Sequence, residues 1–171
     1  RLFVVGHRGT FVFPQPELKK VTVTEAIGDT MELAPPDSKF LTPSMDEYVK
    51  NYEIASKCIN PRDLYPNKPA RTLTCRNIAA PTGDMHRVKL KDGRRRRLFV
   101  REAARLQSFP DWFEFVGSES SQFYQIGNAV PPLLAQHLAK SVKAYFEQEN
   151  FISPQELLKD SPPLYQQMQL F

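Results

Sequence analysis

The sequence has few of the residues from which proteins build covalent or metal cross-links. Its two cysteines, Cys58 and Cys75, allow at most one disulfide, and no CxxC pair or Cys/His cluster has metal-ligand spacing. Structural zinc is therefore not expected. No apolar run approaches the ~20 residues of a membrane span, and no secretory leader opens the chain. These absences predict a cytoplasmic protein.

Acidic residues are scarce in one stretch, residues 71–105. This stretch carries eleven Lys or Arg against three acids, whereas the rest of the chain carries twelve against sixteen. A focused positive field of this kind attracts phosphate backbones and accelerates encounter with nucleic acid. A solvated basic face without a ligand is the alternative interpretation.

The first half of the chain predicts short elements. Apolar residues at 1–6 indicate a buried strand, and the proline-rich residues 11–43 indicate loops with one helical turn near 22–29. A capping box that starts at Ser44 predicts a helix over residues 45–58, and alternation over residues 72–75 predicts a short strand.

The second half contains clearer signals. Asp92 and Gly93 predict a tight hairpin turn between two strands rich in basic residues. A helix should follow and stop before Pro110, then a serine-rich loop over residues 118–122. An amphipathic helix over residues 131–146 should follow, with an apolar stripe formed by Leu134, Leu138, Val142 and Tyr145.

Two long motifs lie in this half. RRLFVREAARLQSFPDWF (residues 96–113) and QIGNAVPPLLAQHLAKSV (residues 125–142) resemble the ninth and tenth motifs of DNA (cytosine-5)-methyltransferases, in that order. RLFVVG at residues 1–6 resembles the end of the eighth motif, and RTLTCRN at residues 71–77 resembles the threonine-leucine segment of the target-recognition region. The resemblance thus extends to about residue 146.

The resemblance implies an α/β fold. We expect the C-terminal part of a Rossmann-like, S-adenosylmethionine-dependent methyltransferase fold with a small, mixed, strand-rich target-recognition domain. Residues 1–9 would be a strand of the catalytic domain, 10–113 the recognition region with its ninth-motif scaffold, 114–149 the tenth motif and returning helix, and 150–171 a tail.

The resemblance also assigns site residues. Arg1 would hold the target cytosine, and Asn128, Ala129 and Val130 would line the cofactor pocket, next to unpaired N–H groups at the following helix start. The residues expected at the DNA are Arg71, Thr72, Leu73, Thr74, Arg76, Asn77, Arg94, Arg95 and Arg96. The residues expected in a scaffold are Arg97, Arg101, Glu102 and Arg105. Phe99 stands where the family often has Ser or Thr, so the usual helix cap must be replaced or missing.

The family's catalytic residues have no match here. Its nucleophilic cysteine, which adds to C6 of cytosine, follows a proline, whereas Cys58 follows Lys57 and Cys75 follows Thr74. The seven glycines form no GxG, so the cofactor domain's glycine loop is also absent. The resemblance therefore implies a target-recognition and cofactor-completing half, inactive without the catalytic half. The two halves would form a heterodimer or belong to one longer chain, in a restriction-modification system.

The sequence leaves two alternative functions and one additional partner to consider. A non-catalytic, sequence-specific DNA-binding protein would also explain the basic stretch, but it leaves the tenth motif without a role. A metal-dependent nuclease is disfavoured because no carboxylate precedes Glu17 and Lys19. The terminal QMQLF (residues 167–171) resembles peptides that bind the bacterial replication sliding clamp, which makes the clamp a further candidate partner.

Overall fold

The computed structural model of the chain describes residues 2–7, 11–57, 62–79 and 83–147. These residues form six helices and one two-stranded sheet. The helices are α1 (Val23–Ile27), α2 (Pro43–Ala55), α3 (Cys75–Ala79), α4 (Val100–Leu106), α5 (Glu119–Asn128) and α6 (Pro132–Phe146). The strands are β1 (Arg87–Lys89) and β2 (Arg95–Arg97). Among these helices, none has the length and apolar character that crossing a membrane requires.

The chain divides into two compact units. The main unit is Glu17–Leu133, and the terminal unit combines Arg1–Pro16 with Leu134–Phe171. The secondary structure is mixed, as expected, but it is richer in helix than the predicted strand-rich recognition domain. The assignment of the first and last segments to a Rossmann-like catalytic domain stays a prediction.

The hairpin is confirmed. β1 and β2 pair antiparallel with Val88 opposite Arg96, and the Leu90 N–H donates to the carbonyl of Arg94 at 2.9 Å across the turn. Gly93 has φ +89°, which a residue without Cβ adopts at no steric cost. The Asp-Gly dipeptide therefore sets the register of the basic residues on both arms.

A buried ion pair joins this hairpin to the helix that follows it. Arg96 and Glu102 are 0% and 1% exposed, and both guanidinium Nη atoms donate to the carboxylate at 2.8 Å. Glu102 also accepts from the Phe99 N–H at 2.9 Å and from the Thr30 hydroxyl at 2.9 Å. The carboxylate thus supplies the glutamate half of a capping box at α4, whereas the Phe99 side chain has no acceptor for the half that Ser or Thr would supply. It also ties the turn after α1 to the same point.

The remaining donors of Arg96 are satisfied by backbone. Its Nε donates to the carbonyl of Leu33 at 2.9 Å, and its Nη2 donates to that of Thr30 at 3.0 Å. The guanidinium also lies 4.0 Å from the centre of the Phe99 ring. Burying a charge is costly unless it is paired and hydrogen-bonded, and this set of partners meets that condition.

One apolar core fills the main unit around the ion pair. The short helix α1 is confirmed, with Thr22 and Glu25 forming a capping box, and it buries Val23 and Ile27. Helices α3, α4 and α5 and the hairpin supply the other walls. The buried cluster is Val23, Ile27, Met31, Leu64, Leu73, Ile78, Val88, Leu90, Leu98, Ala103, Ala104, Phe123 and Ile126.

The predicted start of α2 is wrong. The helix begins at Pro43, and Thr42 caps it by accepting from the Met45 N–H at 3.3 Å, so Ser44 lies inside the helix. Pro43 fits the first helical position because that position has no N–H partner to lose. The helix ends at Ala55, and the predicted end at Cys58 lies outside the described residues.

The serine-rich loop predicted at residues 118–122 is also wrong. Ser118 accepts from the Ser121 N–H at 3.3 Å and caps α5, which runs to Asn128. Serine favours helix starts for this reason, and the polar run is the exposed first turn of an amphipathic helix.

The predicted strand at residues 1–6 does not form over residues 2–6. Leu2 and Val4 are 88% and 83% exposed, and the backbone partners of β1 and β2 are each other and the segments at Phe40 and Asp63, not residues 2–6. A strand needs a neighbour to satisfy its backbone groups, and none of the described residues provides one here. Residue 1 lies outside the described residues.

The terminal unit is built on α6, and the predicted helix is confirmed from Pro132 onward. Tyr145 is 9% exposed and lies 6.0 Å from Phe11 and 6.2 Å from His7, ring centre to ring centre. The rest of the predicted stripe is less covered, with Leu134 and Val142 at 39% and 40% exposure. The helix therefore presents apolar surface to solvent.

The ion pair between Arg96 and Glu102 predicts a large stability effect. Glu102→Gln removes the carboxylate charge and leaves a buried guanidinium, so the unfolding free energy should fall by about 3–5 kcal/mol. Urea unfolding followed by circular dichroism measures this change.

Asp92→Asn is the matched control, because it makes the same acid-to-amide change on the exposed Asp92–Arg94 pair of the same hairpin. Exposed pairs contribute little, so its unfolding midpoint should stay close to that of the unmodified chain. Equal effects of the two substitutions would contradict the structural role given to Glu102.

Candidate functional site

The predicted cofactor residues lie where α5 ends. Asn128 is the last residue of α5, Ala129 follows with extended backbone, and α6 begins three residues later at Pro132. The side chains of Asn128 and Val130 are exposed, and Ala129 is half-buried. We call these three residues the cofactor corner. One polar amide and small apolar side chains thus lie together on the surface of the main unit.

The start of α6 differs from the expectation of unpaired N–H groups. The Leu133 N–H donates to the hydroxyl of Ser108 at 3.2 Å, and Pro132 has no N–H. Ser108 holds a left-handed backbone, with φ +63°, two residues after the end of α4. No local pattern indicates this cap, because the two residues are far apart in the chain.

The glycine of the QIGN motif has a packing role. A Cβ on Gly127 would lie 2.2 Å from the backbone nitrogen of Cys75 and 2.7 Å from the carbonyl carbon of Thr74. Both are backbone atoms, which cannot move aside as a flexible side chain can. Gly127 therefore lets α5 approach the backbone at the start of α3.

The recognition segment, residues 71–77, forms a turn and the start of α3, so the predicted strand is wrong. Its backbone bonds are local: the Asn77 N–H donates to the carbonyl of Thr74 at 3.1 Å. The Asn77 side chain accepts from the Thr74 N–H at 2.8 Å and donates to the carbonyl of Thr72 at 3.0 Å. An asparagine that bonds its own neighbouring backbone favours a turn over a strand.

The side chains of the recognition segment differ in their exposure to solvent. Leu73 and Asn77 are 4% and 3% exposed, so they have no surface to offer a base in this conformation. Thr72, Thr74 and Arg76 are exposed. Arg71 is half-buried and pairs with Asp84 at 3.1 Å.

The arginine run at residues 94–97 is mostly engaged within the protein. Arg94 is exposed and paired with Asp92 at 2.7 Å, whereas half-buried Arg95 pairs with Asp46 at 3.0 Å and Asp63 at 2.9 Å. Arg96 is enclosed with Glu102, so a phosphate contact by Arg96 does not fit the structure. A charge run does not reveal how many of its members meet acids from distant parts of the chain.

A second enclosed arginine was missed by sequence reasoning. Arg87 is 0% exposed and pairs with Asp63 at 2.9 Å and Glu53 at 3.1 Å. Asp63 also pairs with Arg95, so one carboxylate joins the two strands. The basic field predicted from residues 71–105 is thus partly neutralised inside the main unit.

The other predicted scaffold residues make contacts within the chain. Arg97 donates to the carbonyl of Ala79 at 2.8 Å, and Arg101 donates to that of Phe113 at 2.9 Å. Arg105 pairs with Asp29 and Asp111, which raises its pKa and lowers that of Asp111. These contacts tie α4 to the loops on either side of it.

His86 lies beneath the recognition segment. It is 1% exposed and faces the backbone of Thr72, and among the described residues neither ring nitrogen makes a hydrogen bond of good geometry. Burial, and then the positive charge of Arg71, lower the pKa of His86 to about 4. The ring is therefore neutral in the folded protein at neutral pH.

No described residues form a group of three or more His, Cys, Asp or Glu that could hold a metal ion. Cys75 is a half-buried free thiol at the start of α3. Neither the position of Cys75 nor its Thr74 neighbour matches the family's nucleophile, and Cys58 and Arg1 lie outside the described residues.

Comparison with known proteins places this arrangement in a family. The model of the C-5 cytosine-specific DNA methylases matches residues 19–144. The chain is 60% identical to the type II methyltransferase M.AplI of Arthrospira platensis, covering 86% of the chain and 43% of that protein. It is 34% identical to M.MthTI of Methanothermobacter thermautotrophicus, covering 86% of the chain and 52% of that protein.

The protein belongs to the C-5 cytosine-specific DNA methylase family. A third relative, M1.HphI of Haemophilus parahaemolyticus, is 35% identical over 83% of the chain and 42% of its own length. The chain thus spans about half the length of these curated relatives.

The close approach at Gly127 predicts that Gly127→Ala is destabilising. The added methyl group must push α5 away from α3, so the unfolding free energy should fall by about 1–3 kcal/mol. Gly6→Ala is the control, since a Cβ on Gly6 meets no atom within 4 Å. Thermal unfolding of both variants checks this, and an unchanged midpoint for Gly127→Ala would refute the contact.

The lowered pKa of His86 predicts acid sensitivity. Between pH 6.5 and about 4 the unfolded chain binds a proton that the folded chain does not, so stability is lost as pH falls through this window. The loss should be on the order of 3 kcal/mol. Urea unfolding at several pH values measures it, and His86→Leu should flatten the slope relative to the unmodified chain. Parallel slopes for the two proteins would exclude His86 as the source.

Proposed function

We propose that this chain supplies the target-recognition and cofactor-completing part of a DNA cytosine-5 methyltransferase. The enzyme transfers methyl from S-adenosylmethionine to C5 of cytosine in a specific duplex sequence, within a restriction-modification system. It acts in the cytoplasm, close to chromosomal DNA. The observation that carries the proposal is the family match over residues 19–144, which contains both the recognition segment and the cofactor corner.

The cofactor corner fits one wall of a pocket for S-adenosylmethionine. Asn128 offers an exposed amide with donor and acceptor atoms, and Val130 offers 38% of its apolar surface. Such sites combine apolar walls with a few placed polar groups. The other wall, with a glycine loop and the proline-cysteine motif, comes from the catalytic half, on the same polypeptide or on a partner.

The DNA side of the proposal uses the exposed members of the recognition segment. Thr72 and Thr74 offer hydroxyls, and Arg76 offers a guanidinium with no carboxylate paired to it among the described residues. Arginine can bond guanine through two donors, and hydroxyls can bond several bases. Arg94 is a phosphate-contact candidate because its side chain is exposed at the hairpin turn.

The apolar surface of α6 supports the need for a catalytic half. Leu133 is 57% exposed and Phe146 is 61% exposed, in addition to Leu134 and Val142. Apolar side chains clustered on one exposed element commonly mark an interaction surface. We propose that the catalytic half covers them, and that the isolated chain is poorly soluble.

Two further roles concern residues outside the described part of the chain. Arg1 would hold the O2 side of the flipped cytosine through its planar donors. The tail at residues 167–171 would bind the sliding clamp. A synthetic peptide of residues 167–171 should bind purified sliding clamp. No measurable binding at high micromolar peptide would contradict the role proposed for the tail.

Methyl transfer on reconstitution tests the proposal. Labelled S-adenosylmethionine and duplex DNA should yield labelled cytosine only when this chain is mixed with a catalytic half. Asn128→Ala should raise the KM for S-adenosylmethionine by roughly ten-fold, as loss of one hydrogen bond to a charged group implies.

Asn51→Ala makes the same substitution at an exposed position on α2, and its KM should not change. DNA binding without any methyl transfer after mixing would instead favour the non-catalytic DNA-binding protein. An unchanged KM in Asn128→Ala would remove the cofactor corner from the proposal.

A further inference from the structure

The recognition segment turns around one buried side chain. Asn77 accepts from the Thr74 N–H at 2.8 Å and donates to the carbonyl of Thr72 at 3.0 Å. Its own carbonyl accepts from the His86 N–H at 2.9 Å, which fixes Asn77 to the chain leading into β1. The oxygen and the nitrogen of the side-chain amide are therefore both hydrogen-bonded to backbone groups, one on each side of Leu73.

Leu73 sets which side chains face outward. It is 4% exposed and belongs to the core of the main unit, whereas its neighbours Thr72 and Thr74 are exposed. The two hydroxyl-bearing side chains thus flank a residue anchored in the core, and the Asn77 amide holds the backbone of both. Without these two hydrogen bonds, the backbone of Thr72 and Thr74 would lose its fixed conformation, although Leu73 would stay packed in the core.

Helix α5 supports the same turn from a second direction. Gly127 has no Cβ, so the backbone of Thr74 and Cys75 can lie closer to α5 than any residue with a side chain would allow. The turn is thus held by Asn77 at its inner side and by the last turn of α5. This arrangement makes its conformation rigid before any DNA arrives, and preorganised groups bind with a smaller loss of entropy.

We propose that Asn77 is a positioning residue for sequence recognition, which sets the DNA preference of the enzyme by fixing Thr72 and Thr74 without itself touching DNA. The proposal rests on the proposed function, since it assumes that the recognition segment reads DNA. The sequence predicted that Asn77 contacts a base directly, whereas this proposal has Asn77 act through the positions of Thr72 and Thr74.

The alternative is that Asn77 only stabilises the fold. Both roles predict a lower unfolding temperature when the amide is removed, so stability alone does not separate them. Sequence preference does, because a uniformly destabilised but folded enzyme keeps its ranking of DNA sequences. The control must therefore destabilise the same helix without touching the turn, and Ile78, 2% exposed in α3, offers such a site.

The experiment compares three variants in the assembled enzyme: Asn77→Asp, Asn77→Ala and Ile78→Ala. Asn77→Asp keeps the side-chain size and the acceptor for the Thr74 N–H, but it places a carboxylate oxygen against the carbonyl of Thr72. Each enzyme methylates a library of duplexes with randomised sequence around cytosine, at a temperature well below its own unfolding midpoint. Sequencing of the methylated fraction gives the ratio between preferred and next-best sequences.

Both Asn77 variants should lower this ratio by roughly ten-fold, the discrimination that one good base contact supplies, and overall methyl transfer should fall less. Ile78→Ala should lower the unfolding temperature and leave the ratio unchanged. An unchanged ratio in the Asn77 variants, or an equal loss in Ile78→Ala, would overturn the inference while the proposed function stands. Absence of methyl transfer by the unmodified assembly would overturn the proposed function itself.

Discussion

The buried pairing of Arg96 with Glu102 is the constraint on which the main unit depends. It joins the β-hairpin to α4, holds the Phe99 N–H at the start of α4, and ties the turn after α1 through Thr30. Separating the two side chains would leave one charge buried without a partner, which costs several kcal/mol. The hairpin and the helices around it therefore keep one arrangement.

That arrangement places two surfaces in one compact unit. The recognition segment and the cofactor corner are far apart in sequence, and Gly127, which directly precedes the corner, packs on the backbone of Thr74 and Cys75 in the segment. The groups proposed to face the target DNA and those proposed to complete the cofactor pocket thus share one support. An enzyme that transfers a group between two bound molecules needs such a fixed relation between its sites.

Sequence patterns predicted the elements whose causes are local. The hairpin followed from Asp92 and Gly93, and α6 followed from its apolar period and the two prolines at its start. The strand predicted at residues 72–75 failed because Asn77, two residues beyond it, closes a turn instead. The role of Arg96 was also missed, because no local pattern distinguishes an arginine that meets a buried carboxylate from one that meets a phosphate. Ser108 capping α6 and Asp63 joining Arg87 to Arg95 likewise depend on contacts between distant segments.

A structure of the assembled enzyme with its duplex DNA and S-adenosylmethionine would test the central claim most directly. The account predicts that Asn128 and Val130 contact the cofactor, that Thr72 and Thr74 face the major groove, and that Arg96 stays paired with Glu102 away from any phosphate. A complex in which Arg96 binds the DNA backbone, or in which the cofactor corner faces solvent while S-adenosylmethionine is bound elsewhere, would contradict it.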